Sequence, residues 1–270
     1  MIAVLVSLLL AAPDAGLPAG HLQVNADKLD FRNKESRALY SGHAIARRDT
    51  MTLTCDEIEA FFDASGEIQR IEARGNVHAI DGDREAWGDR ANFINETGVL
   101  TVTGKPRGKQ GAREVEGEVV TVVTGIDRLV VTKARTRVKE PRDQRLAIDA
   151  DLLTLEGIKN EAKWTGHVKA VKGKTTLLSP EVTAIYDEQG EIDRVLARGG
   201  VEVTEGDRWA RGQNGDYDVP KGMLVVTGKP QARQGKTRMK GTKVIFFSGA
   251  EFLEVENAET VIEVEKKKVQ

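Results

Sequence analysis

Several features that would point to particular classes of protein are scarce in this sequence. The 270 residues include one cysteine, Cys55, so neither an intrachain disulfide nor a cysteine-rich zinc site within one chain can form. Lys and Arg number 40 against 42 Asp and Glu, mixed along the chain, so the one-sided basic field needed for nucleic acid is lacking. Aromatic residues are only 5%, so we expect a core of Val, Ile, Leu and Ala.

The apolar run at the N-terminus, Ile2 to Ala12, is too short for the about 20 residues that cross a bilayer. Its length and the small residues that follow are typical of a secretory signal, so we predict a signal peptide over residues 1–20 and export of the rest. No Lys or Arg precedes the run. A buried first strand or a misassigned start therefore remains the alternative, and the cleavage site is left open.

An internal repeat organises the chain. The stretch from Gly82 to Pro106 returns at Gly206 to Pro230, shifted by 124 positions without a gap. The same shift relates Gly42-His43 to Gly166-His167 and continues far beyond this stretch. Such self-similarity indicates two copies of one structural unit. We predict units over residues 21–140 and 141–270, with a charged seam between them at 139–144.

Short amphipathic strands are predicted throughout both copies. Met51, Leu53 and Cys55 alternate with threonines, the two-residue period of a half-buried strand, and Leu22 to Phe31 is predicted as another strand. Asp56 to Glu72 also fits a helical stripe. The second copy begins the same segment at Pro180 and favours two strands joined by a turn. Gly75 and Gly199 interrupt the next strand and predict a bulge. The chain is therefore expected to be all-β.

Side chains that could support catalysis form no recognisable constellation. The histidines are His21, His43, His78 and His167; the equivalent pair, His43 and His167, directly follows a glycine, and no nucleophile motif or metal-ligand spacing accompanies it. Exposed histidines beside a turn explain this pattern. No acid pair stands out for glycoside hydrolysis. We predict a protein that is not an enzyme and holds no metal and no cofactor.

Two basic clusters recur in the repeat, and their role is left open between a solvated loop and contact with anionic phosphates. They are Lys105, Arg107, Lys109, Arg113 and their counterparts Lys229, Arg233, Lys236, Arg238.

The apolar strand faces carry the strongest functional signal. They predict either a dry core between two sheets or an interior that holds acyl chains, because such burial needs area rather than placed polar groups. The candidate lipid-binding residues are Tyr40, Ala44, Leu53, Ile58, Phe62, Ile71, Val77, Phe93, Leu100, Val102, Val120, Val122 and Leu129 in the first copy, and Trp164, Val168, Leu177, Val182, Tyr186, Val195, Val201, Tyr217, Leu224, Val226, Val244, Phe246 and Leu253 in the second.

The order and spacing of the strand-and-turn pattern resemble the LptA/OstA-like family of periplasmic lipopolysaccharide transport proteins. The matching segments are Ala26–Phe31, Tyr40–Ala44, Met51–Ile58, Ile71–Val77 and Gly82–Ala91. The second copy is more divergent, with Pro180 at the Asp56 position and Gln213 at the Asp89 position. Two tandem units also depart from the single unit of the best-known members.

The resemblance implies a twisted, V-shaped β-jellyroll of stacked antiparallel strands, with both repeats forming one elongated groove for lipopolysaccharide acyl chains. It further implies a periplasmic bridge between the membranes, with LptC-like and LptD-like partners at its edge strands and possible end-to-end homo-oligomers. The alternatives are a β-scaffold that polymerises without lipid, a polysaccharide-active enzyme, and the membrane-anchored partner of the same pathway. The last would need a full-span N-terminal helix.

Overall fold

The structure is a computed structural model that describes residues 23–48, 51–82, 84–123, 126, 128–139, 145–188, 191–247 and 253–262. Within this part of the chain strands dominate, and Asn33–Glu35 forms a single 3-10 turn. The all-β prediction is confirmed, including two strands rather than a helix around 56–72. The proposed signal segment and the seam residues 140–144 lie outside the described residues.

The chain forms two compact units. The first contains Met1–Glu140 together with Leu152–Asn160, and the second contains Pro141–Asp151 together with Glu161–Gln270. The strands of the first unit are β1 (Gln23–Asn25), β2 (Lys28–Arg32), β3 (Arg37–Arg48), β4 (Met51–Phe62), β5 (Ile68–Asp81), β6 (Arg84–Ile94), β7 (Val99–Thr103), β8 (Arg107–Gln110), β9 (Arg113–Glu116), β10 (Val119–Val123), β11 (Arg128–Thr132), β12 (Arg135–Lys139) and β14 (Leu152–Glu156).

The second unit repeats this plan. Its strands are β13 (Arg145–Asp149), β15 (Glu161–Lys172), β16 (Thr175–Tyr186), β17 (Ile192–Glu205), β18 (Arg208–Asp218), β19 (Met223–Thr227), β20 (Gln231–Gln234), β21 (Thr237–Lys240), β22 (Lys243–Phe247), β23 (Leu253–Glu256) and β24 (Glu259–Ile262). The bounds of β15 to β18 are those of β3 to β6 moved by the same 124 positions that relate the two sequences.

Four long strands in each unit bend and pass from one half-sheet to another. In the first unit, Arg37–Ser41 of β3 pairs with β2, whereas Ile45–Arg47 pairs with β1. At the other side, the first half of β6 pairs with β8 and its second half pairs with β7. Half-sheet A is continued by the antiparallel pairs β7–β10, β10–β11 and β11–β14, and half-sheet B by β8–β9 and β9–β12.

The second unit divides in the same way. Its half-sheet A contains β19, β22 and β23, and its half-sheet B contains β13, β20, β21 and β24. Inward residues of both half-sheets form one core, since Val203 and Ala210 of B pack with Val226 and Phe246 of A. Each unit therefore has a jellyroll-like all-β fold in which two half-sheets face each other.

A line of bulges, which we call the crease, marks where the long strands bend. The register of β4 on β5 shifts between Thr54 and Glu57, opposite Gly75-Asn76. Gly75 and Asn76 both have positive φ, +73° and +51°, and the Asn76 amide donates a 3.0 Å hydrogen bond to the Asp56 carboxylate. A Cβ on Gly75 would lie 2.0 Å from Asp56 Oδ2, so only glycine fits beneath that carboxylate. The bulges predicted at Gly75 and Gly199 are thus present.

Two sequence-based assignments need correction. The single strand predicted over 22–31 is two strands, because Asp27 sits at the crease and its amide bonds the Gly42 carbonyl at 2.9 Å. The basic clusters are only partly loops. Lys105 and Lys229 lie in bends before β8 and β20, whereas Arg107, Lys109 and Arg113 lie on the β8–β9 hairpin, and Arg233, Lys236 and Arg238 lie on β20–β21 or its turn.

Candidate functional site

The interior face, meaning the inward side chains of both half-sheets, follows from strand alternation. On β19, Leu224 and Val226 are 5% and 0% exposed, whereas Val225 between them points outward and is half-buried. Neighbouring strands pair in register, so inward residues line up across them, as Leu224 does with Phe246. The two inward faces together give a continuous apolar lining within each unit.

All the residues predicted to bind lipid lie on this interior, and none is exposed. Those that are buried are Ala44, Leu53, Ile58, Val77, Leu100, Val102, Val122, Leu129, Trp164, Val168, Val182, Val201, Leu224, Val226, Val244 and Phe246; those that are half-buried are Tyr40, Phe62, Ile71, Phe93, Val120, Leu177, Tyr186, Val195, Tyr217 and Leu253. Their burial is an observation about packing. Their role toward lipid stays a proposal.

Small residues complete the lining, in line with the expected core of Val, Ile, Leu and Ala. Buried alanines occupy inward positions of the long strands in both units: Ala38, Ala46, Ala60, Ala73, Ala79, Ala91, Ala162, Ala184, Ala197 and Ala210. Of the alanines, only Ala44 was named as a lipid-binding candidate. Several others recur at the 124-residue shift, such as Ala38 with Ala162 and Ala60 with Ala184, so the repeat could have identified them.

A mouth of the interior opens at strand β2, and sequence reasoning missed it as well. Leu29 and Phe31 pair with Tyr40 and Ala38, so they share the inward face, yet they are 54% and 60% exposed. The Phe31 ring contacts the Phe62 ring, with 6.3 Å between centroids. Among the described residues only the three-residue β1 continues half-sheet B at this end, so these side chains stay uncovered. The interior thus reaches solvent through an apolar mouth.

Farther inside, the first unit is packed like a core. The gap between its half-sheets near β7, β8 and β11 is an apolar cavity of about 30 Å³, lined by residues such as Leu100, Val115 and Leu129. That volume holds about one water molecule, whereas ligand pockets usually measure about 300–1,000 Å³. An acyl chain can enter this region only if the half-sheets move apart.

The buried cysteine offers no chemistry in this setting. Cys55 lies on the interior of β4, and burial raises the pKa of its thiol to about 11. A thiol with that pKa stays protonated near neutral pH and is a poor nucleophile.

Most charged groups lie outside the interior; Arg208, 7% exposed over the ring of the core residue Phe246, is an exception. Glu59, on the outer face of β4, is only 4% exposed, and Arg37 and Arg74 approach its carboxylate at 2.6 and 3.0 Å. These contacts cross three neighbouring strands, β3, β4 and β5. The inner face of half-sheet A thus packs against apolar residues, and its outer face carries ion pairs. The sheet therefore separates a dry side from a polar side.

The histidines at the crease are paired but not catalytic in arrangement. His43 Nδ1 lies 2.8 Å from Asp27, and His167 Nδ1 lies 2.7 Å from Asp151. The hydrogen bond to the Asp27 carboxylate raises the pKa of His43 above its ordinary value. Both rings are at least 90% exposed. In the described part of the chain, no three His, Cys, Asp or Glu side chains gather as a metal site would require.

Among the described residues, no helix has the length and apolar character to cross a bilayer.

Comparison with known proteins links this architecture to one family. The family model described as "LptA/(LptD N-terminal domain) LPS transport protein" matches the chain twice, over residues 23–125 and 147–252. An uncharacterized protein of Rhizobium meliloti (strain 1021) is 30% identical over 95 residues, which are 32% of this chain and 51% of that protein. The chain thus spans about half the length of this curated relative. A crystal structure of LptH, the LptA homologous periplasmic component of the lipopolysaccharide transport device of Pseudomonas aeruginosa, aligns with 11% identity and a TM-score of 0.18, covering 64% of this chain and 80% of that one.

Proposed function

Because this chain belongs to the LptA/(LptD N-terminal domain) LPS transport protein family, we propose that it is a periplasmic carrier that holds lipopolysaccharide by its acyl chains and catalyses no reaction. The observation that carries the proposal is the mouth at β2, where inward Leu29 and Phe31 are more than half exposed. An apolar lining that opens to water is unfavourable unless something apolar covers it.

The mechanism needs area rather than catalytic groups. Each methylene of an acyl chain that leaves water gains about 0.8 kcal/mol, so a chain of ordinary length gains several kcal/mol without any placed polar atom. The acyl chain enters the protein at Phe31 and Phe62, next to half-buried Tyr40, and extends inward as the half-sheets separate. Separation is resisted by the packed region around the small cavity, so the carrier binds by opening.

The proposed partners bind at edge strands. Among the described residues, β1 and β2 pair only with β3, and β24 pairs only with β21, so each presents an unpaired backbone edge. Such an edge accepts a strand from another molecule through main-chain hydrogen bonds. We assign these edges to LptC-like and LptD-like proteins at the two membranes, and to end-to-end self-association where several copies join. The repeats predicted over residues 21–140 and 141–270 give one chain two such interiors.

A photo-crosslinking experiment on neighbouring phenylalanines tests the proposal. Phe62 points inward and Phe61 points outward, and both are half-buried. The Arg70 guanidinium lies over the Phe61 ring, 4.0 Å from the ring centre. Each is replaced by benzoylphenylalanine, a photoreactive residue of similar shape, in the full chain. After irradiation with lipopolysaccharide, we expect an acylated glycolipid adduct at position 62 and none at position 61.

The competing function is a β-scaffold that assembles without lipid, and the cavity of about 30 Å³ favours it. Assembly that proceeds in lipid-free buffer, combined with no adduct at position 62, would support the scaffold. Equal adducts at positions 61 and 62 would mean surface association only, and the carrier proposal would then be wrong.

A further inference from the structure

The two units differ at the outer side of the crease. In the first unit, three carboxylates cover the crease glycines: Asp27 over Gly42, Asp56 over Gly75 and Asp89 over Gly104. In the second unit Asp151 keeps this place over Gly166, but the next two positions are Pro180 and Gln213. Two neighbouring corners of the second unit therefore have no carboxylate.

A groove of about 910 Å³ runs along this part of the crease. Its walls come from β15, β16, β17 and β18, from the turn before β20 and from Gln231 of β20. Neutral side chains stand where the first unit has carboxylates: a Cβ on Gly199, the counterpart of Gly75, would lie 3.5 Å from Pro180, and one on Gly228 would lie 2.5 Å from Gln213. At these two corners the groove therefore differs from the first unit in charge.

Positive charge lines this groove. Lys169, Arg211 and Lys229 are exposed along it, and Glu202 is the one carboxylate among its lining residues. The corresponding positions of the first unit hold Ile45, Trp87 and Lys105, together with Asp56 and Asp89. The second unit therefore has Lys169 and Arg211 where the first has uncharged Ile45 and Trp87, and at two other positions it lacks the carboxylates of Asp56 and Asp89; Glu202 stands where the first unit has His78.

Two neighbours position the Arg211 guanidinium. Its guanidinium donates a 2.7 Å hydrogen bond to Gln231 Oε1 and lies 5.1 Å from the centre of the Trp209 ring. In the sheet, Arg211 is opposite Glu202, which is opposite Leu178, so the groove crosses adjacent strands at about 4.8 Å spacing. At the crease end, His167 uses Nδ1 toward Asp151 and presents a ring that is 93% exposed.

The groove is separate from the apolar interior. Lys169 and Arg211 are exposed, whereas their chain neighbours Val168 and Ala210 are buried, so the charged side chains lie on the opposite face of the half-sheet from the core. A ligand held by Lys169 and Arg211 therefore lies on the outer face, although Val168 and Val201 of the interior border the groove at the bulges. The inference therefore goes beyond the proposed acyl-chain function and does not depend on it.

We propose that this crease groove of the second unit binds a phosphate monoester group. Arginine grips phosphate oxygens with two parallel N–H donors, and lysine adds a compact charge that pairs with any of the three oxygens. The same chemistry is found in free phosphate and in the phosphorylated sugars of a glycolipid headgroup. The basic residues on β20 and β21 extend the positive face beyond the groove.

The test uses the full chain labelled with ¹⁵N and two soluble probes, inorganic phosphate and glucosamine 1-phosphate. We expect saturable shifts of the Gly200, Gly212 and Gly228 amide resonances, with little change at Gly88 and Gly104 of the first unit. Tighter binding of the sugar phosphate would identify a headgroup as the source of the phosphate. Tighter binding of inorganic phosphate would identify the free anion.

Variants give the decisive comparison. Arg211→Gln should weaken binding about tenfold, because a charged hydrogen-bond partner is lost. Lys174→Gln removes the same charge from an exposed turn outside the groove and should leave binding unchanged. The double variant Pro180→Asp with Gln213→Asp restores the residues of the first repeat and should abolish binding. Equal weakening by Lys174→Gln, or no saturable shift at the three glycines, would overturn the proposal, and neither result would bear on the crosslink at Phe62.

Discussion

Replacing Phe246 by alanine tests whether the facing half-sheets of the second unit form one packed core. Phe246 is 2% exposed on the inward face of β22 and packs with residues of both half-sheets. Removing a buried phenyl ring costs about 3–5 kcal/mol of unfolding free energy. The Arg208 guanidinium, 4.7 Å from the ring centre, loses a cation–π contact of about 0.5–2 kcal/mol. Much of the 5–15 kcal/mol that stabilises a typical domain is at stake.

The next residue provides the matched control. Phe247 has the same side chain on the same strand but points to the outer face and is half-buried. Urea unfolding followed by circular dichroism, with hydrogen exchange of β19 and β22 as a local readout, should show a loss at least about 2 kcal/mol smaller for Phe247→Ala than for Phe246→Ala. The reasoning fails if the two substitutions cost the same, or if Phe246→Ala costs less than about 1 kcal/mol.

Two further predictions concern the crease. Gly75→Ala should lower the free energy of unfolding in urea more than Gly66→Ala does. Both glycines have positive φ, but a Cβ at Gly75 would meet the Asp56 carboxylate, whereas a Cβ at Gly66 would have nothing within 4 Å. Equal losses would contradict the steric argument. The pKa of His43, measured by NMR, should lie above 6.5 and fall in Asp27→Asn. Since the folded-state pKa is raised, the pair stabilises the protein below the unfolded-state pKa, and its contribution disappears as pH rises through the folded-state value; a pH-independent difference in unfolding free energy between the two proteins would show that the charge on His43 is irrelevant.

Much of the fold could be predicted because the repeat supplied a second reading of each segment. The helical stripe at Asp56–Glu72 was rejected only because the copy contains Pro180 and strand-forming residues, and the structure has strands there. The bulge at Gly75 was predictable because its backbone needs a positive φ, which favours glycine, and a glycine inside a strand pattern indicates such a place. By contrast, β8 and β9 are rich in charged residues and carry few inward apolar ones, so their pairing gave no periodic signal.

The candidate interior was partly predictable for the same reason. Large residues that alternate and recur, such as Val226 and Phe246, are buried. Leu29 and Phe31 follow the same alternation, but their exposure depends on how far the facing half-sheet extends. The cationic groove was visible only as scattered basic residues until the register of β15 to β18 placed Lys169 and Arg211 along one face.

The sequence alone determined that this protein is a duplicated set of amphipathic strands, since the period of two and the 124-residue shift are properties of the chain. It also predicted the bulges at Gly75 and Gly199, because a backbone with positive φ favours glycine. Only the tertiary structure decided that β14, which belongs to the second repeat in sequence, pairs with β11 of the first unit. It also decided that the interior is nearly closed at the cavity yet open at β2. Both follow from which edges meet, and edge pairing uses backbone groups that every residue shares.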